Sequence, residues 1–274
     1  MNWEYAVQCL NLALGISLIV RLFRIRLHRI YKLFCAFLIA DLFGSVLWIL
    51  NQLFALFSDY HYLFIWLVIK PVVWLFTLLM VYSLLGKILV QLPGLLRLSR
   101  QVLHVVFFLA LVVGLVSARY EYSAPGFMAL KGQAFITQCW ITEMVLDRAI
   151  DSTALFSLLL MLGFLFWFPV VIPRNLGIFS VGFSVYFAAM TGLLLMRSFW
   201  PNETIKILEE VLDIVNVLIG GVSSACFAFW IFFLSRNGEN APSQLTIQRP
   251  PEEQERLIAQ LELMNEALLK AGRR

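Results

Sequence analysis

Seven long apolar runs are the feature of this sequence that most limits what it can fold into. A helix needs about 20 consecutive apolar residues to cross a bilayer, whereas the core segments of soluble domains are much shorter. The composition agrees, because 61% of the 274 residues are hydrophobic and only 14% are charged. The runs do not alternate in polarity as barrel strands do, and lipid offers no partner for an open strand. The sequence therefore predicts an all-α, polytopic membrane protein with a bundle of seven transmembrane helices.

Charged clusters or proline, glycine and polar residues separate the predicted spans. The spans cover about residues 4–23, 32–57, 62–90, 102–118, 135–172, 175–198 and 204–235. The fourth run barely reaches membrane length, and we expect the extra turns of the fifth and seventh to project into water. The domain prediction is a transmembrane domain at 1–236, a linker at 237–250 and a C-terminal helix at 251–274.

Basic residues near the span ends predict the orientation, since cytoplasmic loops carry an excess of Lys and Arg. One side of the predicted bundle has ten of them: Arg21, Arg24, Arg26, Arg29, Lys32, Lys87, Arg97, Arg100, Arg174 and Arg236. The other side has five: Arg119, Lys131, Arg148, Arg197 and Lys206. We therefore expect an extracytoplasmic N-terminus and a cytoplasmic C-terminus, in a plasma membrane or a bacterial inner membrane. The first span, with no basic region ahead of it, is expected to be a signal anchor.

An acidic column begins the fifth span in the stretch "EMVLDRAID", where Glu143, Asp147 and Asp151 follow one another at intervals of four residues. This spacing keeps the three carboxylates on one helical stripe that drifts by only about 40° per step. Acids are also common in the first turns of helices, where they interact favourably with the helix dipole. That alternative is weaker for Asp147 and Asp151, because both follow the predicted start of the helix by several turns.

The seventh span repeats this pattern at the same predicted extracytoplasmic end. It contains Glu209, Glu210 and Asp213, with Asn216 three residues after Asp213. Two acidic helix ends are therefore expected to face the same compartment.

Lys70 is the most unusual single residue, since it lies deep in the third span directly before Pro71. An unpaired lysine there would cost about 2.5–3.5 kcal/mol on insertion, so we expect it to face the bundle interior and pair with an acid. Asp213 matches its predicted depth if the two helices are neighbours, and Asp41 of the second span is the alternative. The alternative is a buried ion pair that serves packing alone, without any ligand.

Several polar positions share one predicted depth layer in the extracytoplasmic half of the bundle. We interpret them as the lining of an outward-opening cavity for a small polar or cationic ligand. The primary candidates are Asn11, Asn51, Lys70, Asp147, Asp151, Asp213 and Asn216, and the secondary ones are Asp41, Glu143, Glu209 and Glu210.

Catalytic and cofactor sites have little support in the sequence. The histidines His28, His61 and His104 are isolated in the sequence, and serine-nucleophile and phosphate-loop motifs are absent, so an enzyme is not favoured. Carboxylates alone would suit Ca²⁺, Mg²⁺ or Mn²⁺, which leaves the metal prediction open. No cofactor is predicted; retinal in particular would need a lysine within the seventh span. Cys9 and Cys139 lie towards the same predicted side, and a bond between them is left open.

The C-terminal segment, residues 251–274, is charged and amphipathic, in contrast to the apolar spans before it. Leu257, Leu261, Met264 and Leu268 have the 4-3-4 spacing of a coiled-coil seam, which predicts pairing with a second copy or with a cytoplasmic partner. An amphipathic helix on the inner leaflet is the alternative, but its polar face is largely acidic, which disfavours anionic lipid. Nucleic acid is not expected as a partner.

A cavity, seven helices and a cytoplasmic pairing helix together favour a receptor-like sensor. A small transporter or channel that uses Lys70, Asp213 and Asp41 is the first alternative. A membrane assembly or scaffold protein without a ligand is the second.

Overall fold

A computed structural model describes residues 3–54, 59–122, 134–168, 170–198, 205–241 and 250–271. The described residues form eight α-helices and two short 3₁₀ turns. The helices are α1 (Trp3–Arg24), α2 (Lys32–Phe54), α3 (Asp59–Ile88), α4 (Pro93–Tyr122), α5 (Ala134–Trp167), α6 (Arg174–Ser198), α7 (Ile205–Phe233) and α8 (Pro251–Ala271).

Helices α1 to α7 are each long and apolar enough to cross a membrane. They confirm the all-α, seven-helix prediction, and the chain is an integral, multi-pass membrane protein. The predicted fourth span at 102–118 was too short, because the apolar part of α4 covers Pro93–Val116. Arg97 and Arg100 were interpreted as loop residues, whereas they lie in the first turns of α4.

Six of the spans form a closed ring, in the order α1, α2, α3, α5, α6 and α7, with α7 packing back on α1. Helix α4 lies outside this ring and packs mainly on α5. Its contact stripe is narrow and includes the buried Leu103 and Gly114, whereas Phe108 and Val116 are 67% and 68% exposed. A Cβ on Gly114 would lie 3.3 Å from the Ala149 side chain, so this glycine sets a close approach of the two helices.

An aromatic cluster fills one end of the ring. The ring of Phe34 on α2 meets those of Phe179, Phe183 and Trp230 edge-on, at centroid separations of 4.8–5.3 Å. Edge-to-face contacts of this kind are favourable beyond the area they bury. The cluster belongs to the end of the ring at which α2 and α6 begin, and it closes that end.

Buried hydrogen bonds join α6 to the segment that follows α7 at the same end. The Asn175 side chain is fully buried and donates to the Ser235 carbonyl and to Glu239 Oε1, each at 2.7 Å. A Cβ on Gly238 would collide with the Asn175 amide, so only glycine allows this approach. The Tyr31 hydroxyl also bonds to Glu239, and burial together with this carboxylate raises the pKa of Tyr31. These contacts fix the chain where it leaves the bundle.

Helix α8 packs on the start of α4. Leu257 and Leu261 are buried, while Met264 is 47% exposed. The amide oxygen of Asn265 accepts a hydrogen bond from the backbone N–H of Gly94 at 2.7 Å. Much of the seam predicted to pair with another chain is thus covered by the protein's own α4. The pairing itself, and the cytoplasmic location of α8, stay predictions.

Candidate functional site

A cavity of about 390 Å³ occupies the ring at the end opposite the aromatic cluster. All six ring helices contribute side chains to its wall, and α4 contributes none. The wall residues lie in the first half of α1, the first part and middle of α5, the middle of α2, α3 and α7, and the later part of α6. Because successive spans of the chain alternate in direction, the beginnings of α1 and α5 and the end of α6 lie at one end of the bundle, which is the predicted extracytoplasmic end.

Lys70 is the only basic residue in the described wall of this cavity. Its ammonium group lies 2.8 Å from Asp147 Oδ2 and 3.4 Å from Glu143 Oε1, and 5.1 Å from the centre of the Trp66 ring. Glu143 is buried, and only about a fifth of the Lys70 and Asp147 side chains is exposed. Two carboxylates and an aromatic face therefore stabilise the buried positive charge.

Both carboxylate oxygens of Asp147 accept hydrogen bonds from side chains of α3. One carboxylate oxygen accepts from Lys70, and the other accepts from the indole N–H of Trp74 at 2.7 Å. Lys70 and Trp74 are four residues apart, so both project from the same face of α3 towards α5. This clamp fixes α3 against α5, with Pro71 lying between its two donors in a helix that continues through the proline.

The described acids that pair with Lys70, Glu143 and Asp147, were predicted to line the cavity but not to be its partners, and the predicted pair with Asp213 stays a prediction. Asp213 was favoured on the condition that the third and seventh helices are neighbours, but α3 packs mainly on α2 and α5, and α7 packs on α1 and α6. The Asp213 side chain lies outside the described residues. Asp41 lines the same cavity, yet the ion pairs that the structure describes for Lys70 are to α5.

Five of the seven primary candidates line the cavity: Asn11, Lys70, Asp147, Asp151 and Asn216. Two secondary candidates, Asp41 and Glu143, also line it. Asn51 is absent from the described wall, because the polar face of α2 that reaches the cavity contains Asp41, Ser45 and Trp48 instead. The side chains of Glu209 and Glu210, like that of Asp213, lie outside the described residues.

Sequence reasoning missed the aromatic part of the wall. Trp48, Trp66, Trp74 and Tyr186 all line the cavity. The spacing of four residues between Trp66, Lys70 and Trp74 is the signal that would have placed the three side chains on one face. Cys9 and Cys139 are free thiols, so the bond left open between them is not formed.

The described wall is polar and aromatic, and it does not resemble a metal centre. Within the described ranges, no three His, Cys, Asp or Glu side chains come together in a geometry that could hold a metal ion. The carboxylates alternate with indole and phenol rings, an arrangement suited to organic molecules. Compared with known proteins, the chain matches no family model, no curated protein and no solved structure.

Proposed function

We propose that this protein is a membrane sensor that binds a small ligand in the ring cavity. Ligand binding changes the packing of α5, and this change is transmitted through α4 to α8 on the cytoplasmic side. The observation that carries the proposal is the cavity itself, because all six ring helices meet around it. A volume of about 390 Å³ lies within the range of small-molecule sites, roughly 300–1,000 Å³. A ligand that contacts several helices at once can change how they pack.

The position of α5 supports the choice of a sensor. This helix contributes Glu143, Asp147 and Asp151 to the cavity wall and packs against α4 on its other side. The start of α4 is in turn bonded to Asn265 of α8. Ligand-induced helix shifts are usually about 1–2 Å, and a shift of α5 on this scale would reach α8 through the direct contacts of α5 with α4 and of α4 with α8.

A cavity-filling variant tests whether the cavity is coupled to α8 through α5 and α4, and it does so without a known ligand. We expect Met190→Trp, which places an indole in the cavity, to change the distance between spin labels at Leu98 on α4 and Leu263 on α8. Both label sites are exposed, and the four native cysteines would first be replaced. Phe156→Trp is the matched control, because Phe156 is 64% exposed on the outside of α5. Equal distributions of the Leu98–Leu263 label distance in the two variants would contradict coupling between the cavity and α8.

A proton-coupled transporter is the second candidate. The observation that favours it is that the carboxylates of Asp41 and Asp151 line the cavity without a hydrogen bond from any described residue. Buried acids of this kind form proton relays in transporters. Proton uptake by liposomes that contain the protein, lost in Asp41→Asn, would favour transport over sensing.

A further inference from the structure

The charge on the cavity wall is out of balance. Four carboxylates line the described wall, together with one ammonium group, that of Lys70. Lys70 is already paired with Asp147 and Glu143. Asp41 and Asp151 have no ion pair or hydrogen bond from a described side chain, and they lie within electrostatic range of the Lys70 ammonium and of other carboxylates of the wall. Four carboxylates that share one cation are unfavourable inside a membrane protein.

Two buried polar side chains at the same cavity also have unused bonding capacity. Tyr186 is 8% exposed and lies within electrostatic range of both Asp41 and Asp151, and its hydroxyl bonds to no described residue. Asn11 is 6% exposed, and its one described hydrogen bond is the 3.4 Å contact with Ser224. Both residues line the cavity, so their polar atoms are available to bond to a polar molecule within it.

The aromatic lining specifies the chemistry of that molecule further. Trp48 and Phe187 line the cavity with Tyr186, and Trp66 already lies beneath the Lys70 ammonium at 5.1 Å. Aromatic faces attract organic cations, and their apolar surface suits the carbon atoms attached to the charged nitrogen. A bare metal ion would instead need converging oxygen ligands, which the described side chains do not supply.

We infer that the cavity binds a small organic ammonium ion, with its nitrogen between Asp41 and Asp151, its N–H donors directed to these carboxylates and to Tyr186, and its carbon atoms against the aromatic wall. This inference rests on the proposed function and gives the ligand its chemical class. The incoming cation supplies the positive charge that the described part of the wall lacks, while Lys70 keeps its own partners on α5. Lys70 is thus a structural member of the site, and Asp41 and Asp151 are the groups that bind the ligand.

A panel of nine probes tests the assignment. Ammonium, alcohol and carboxylate head groups, each on an ethyl, a butyl and a phenylethyl tail, are added to the purified protein, and the shift in Tm is measured. We expect at least one ammonium probe to raise Tm, while its alcohol and carboxylate counterparts have no effect. Asp41→Asn and Asp151→Asn should each weaken its binding by about tenfold or more, the effect of losing a charged hydrogen bond. Tyr186→Phe should weaken it by about threefold to tenfold.

Glu262→Gln provides the control, because it makes the same change of a carboxylate to an amide on the exposed surface of α8 and should leave binding unchanged. Binding of an alcohol or carboxylate probe in place of the ammonium would overturn the inference and leave the proposed function standing. Unchanged ammonium affinity in both Asp variants would also overturn the inference. So would a panel without any Tm shift, while the label distance in Met190→Trp would still test the proposed function separately.

Discussion

Lys70 places a full positive charge inside the bundle, and its neighbours explain how the fold tolerates this charge. The two oxygens of Asp147 accept from Lys70 and from Trp74, so neither the ammonium nor the carboxylate is left without a partner. Glu143 adds a second negative charge at 3.4 Å. The clamp therefore depends on both α3 and α5, and loss of either charge leaves the other buried.

A double-mutant cycle tests the clamp. We expect Lys70→Met to lower the free energy of unfolding in detergent by about 3 kcal/mol, because it leaves two buried carboxylates without their cation. Asp147→Asn should cost a similar amount. The double variant should cost less than the sum of the two by about 1–2 kcal/mol. Lys87→Met is the control, since Lys87 contacts the Tyr31 ring and not α5, and its effect should be additive with Asp147→Asn. Additivity of Lys70→Met with Asp147→Asn would argue against the clamp.

Only part of this site could be predicted from the sequence. The need for a partner followed from the cost of burying Lys70, but depth did not identify the partner. From the helix starts, Lys70 lies about 16.5 Å along α3, Asp147 about 19.5 Å along α5 and Asp213 about 12 Å along α7, so the two acids differ from it by about 3 Å and about 4.5 Å. The choice depends on which helices are neighbours. The aromatic part of the wall could not be predicted either. Aromatic residues make up 15% of the chain, and many of them face outwards, as Trp167 does, so an aromatic residue alone does not indicate a cavity.

Between helices, the tightest contacts depend on glycine. Gly94 is the clearest case, since a Cβ there would collide with the backbone carbonyl of Asn265. Its own N–H bonds to the Asn265 side chain, which satisfies one of the free donors at the start of α4. The helical form of 251–271 was predictable from its proline start and its apolar spacing. Its docking on α4 was not, because the same stripe of leucines suits a partner in the same chain or in another.

Gly94→Ala is expected to weaken the docking of α8 by about 1–3 kcal/mol, because the added methyl group must displace the backbone of α8. The measurement is hydrogen exchange of the α8 amides, which should become faster. Gly163→Ala is the matched control, since nothing lies within 4 Å of a Cβ at that position of α5. There the substitution should leave α8 exchange unchanged and stabilise the protein by up to about 1 kcal/mol. Equal exchange rates for α8 in both variants would exclude the Gly94 contact as the docking point.

At the scale of the whole molecule, seven apolar runs were enough to predict seven spans, since length and hydropathy are properties of each segment alone. The ring order and the outer position of α4 depend on pairwise packing, which the sequence does not display.

The orientation is tested by labelling two single cysteines in a variant that lacks the four native ones. We expect Trp3→Cys to react with a membrane-impermeant maleimide in intact cells, and Ile258→Cys to react only after lysis, because the basic residues cluster at the end where α8 is attached. Both side chains are exposed, at 68% and 42%. The reverse pattern would place the cavity on the cytoplasmic side.

The order in which the clamp residues are synthesised has a consequence for biogenesis. Asp147 follows Lys70 by 77 residues, and at about 5–20 residues per second the ribosome needs about 4–15 s to make that stretch. During this interval α3 enters the membrane with a lysine whose strongest partner does not yet exist. We therefore expect α3 to stay beside the insertion machinery until α5 arrives, so that the ring closes in an order set by translation.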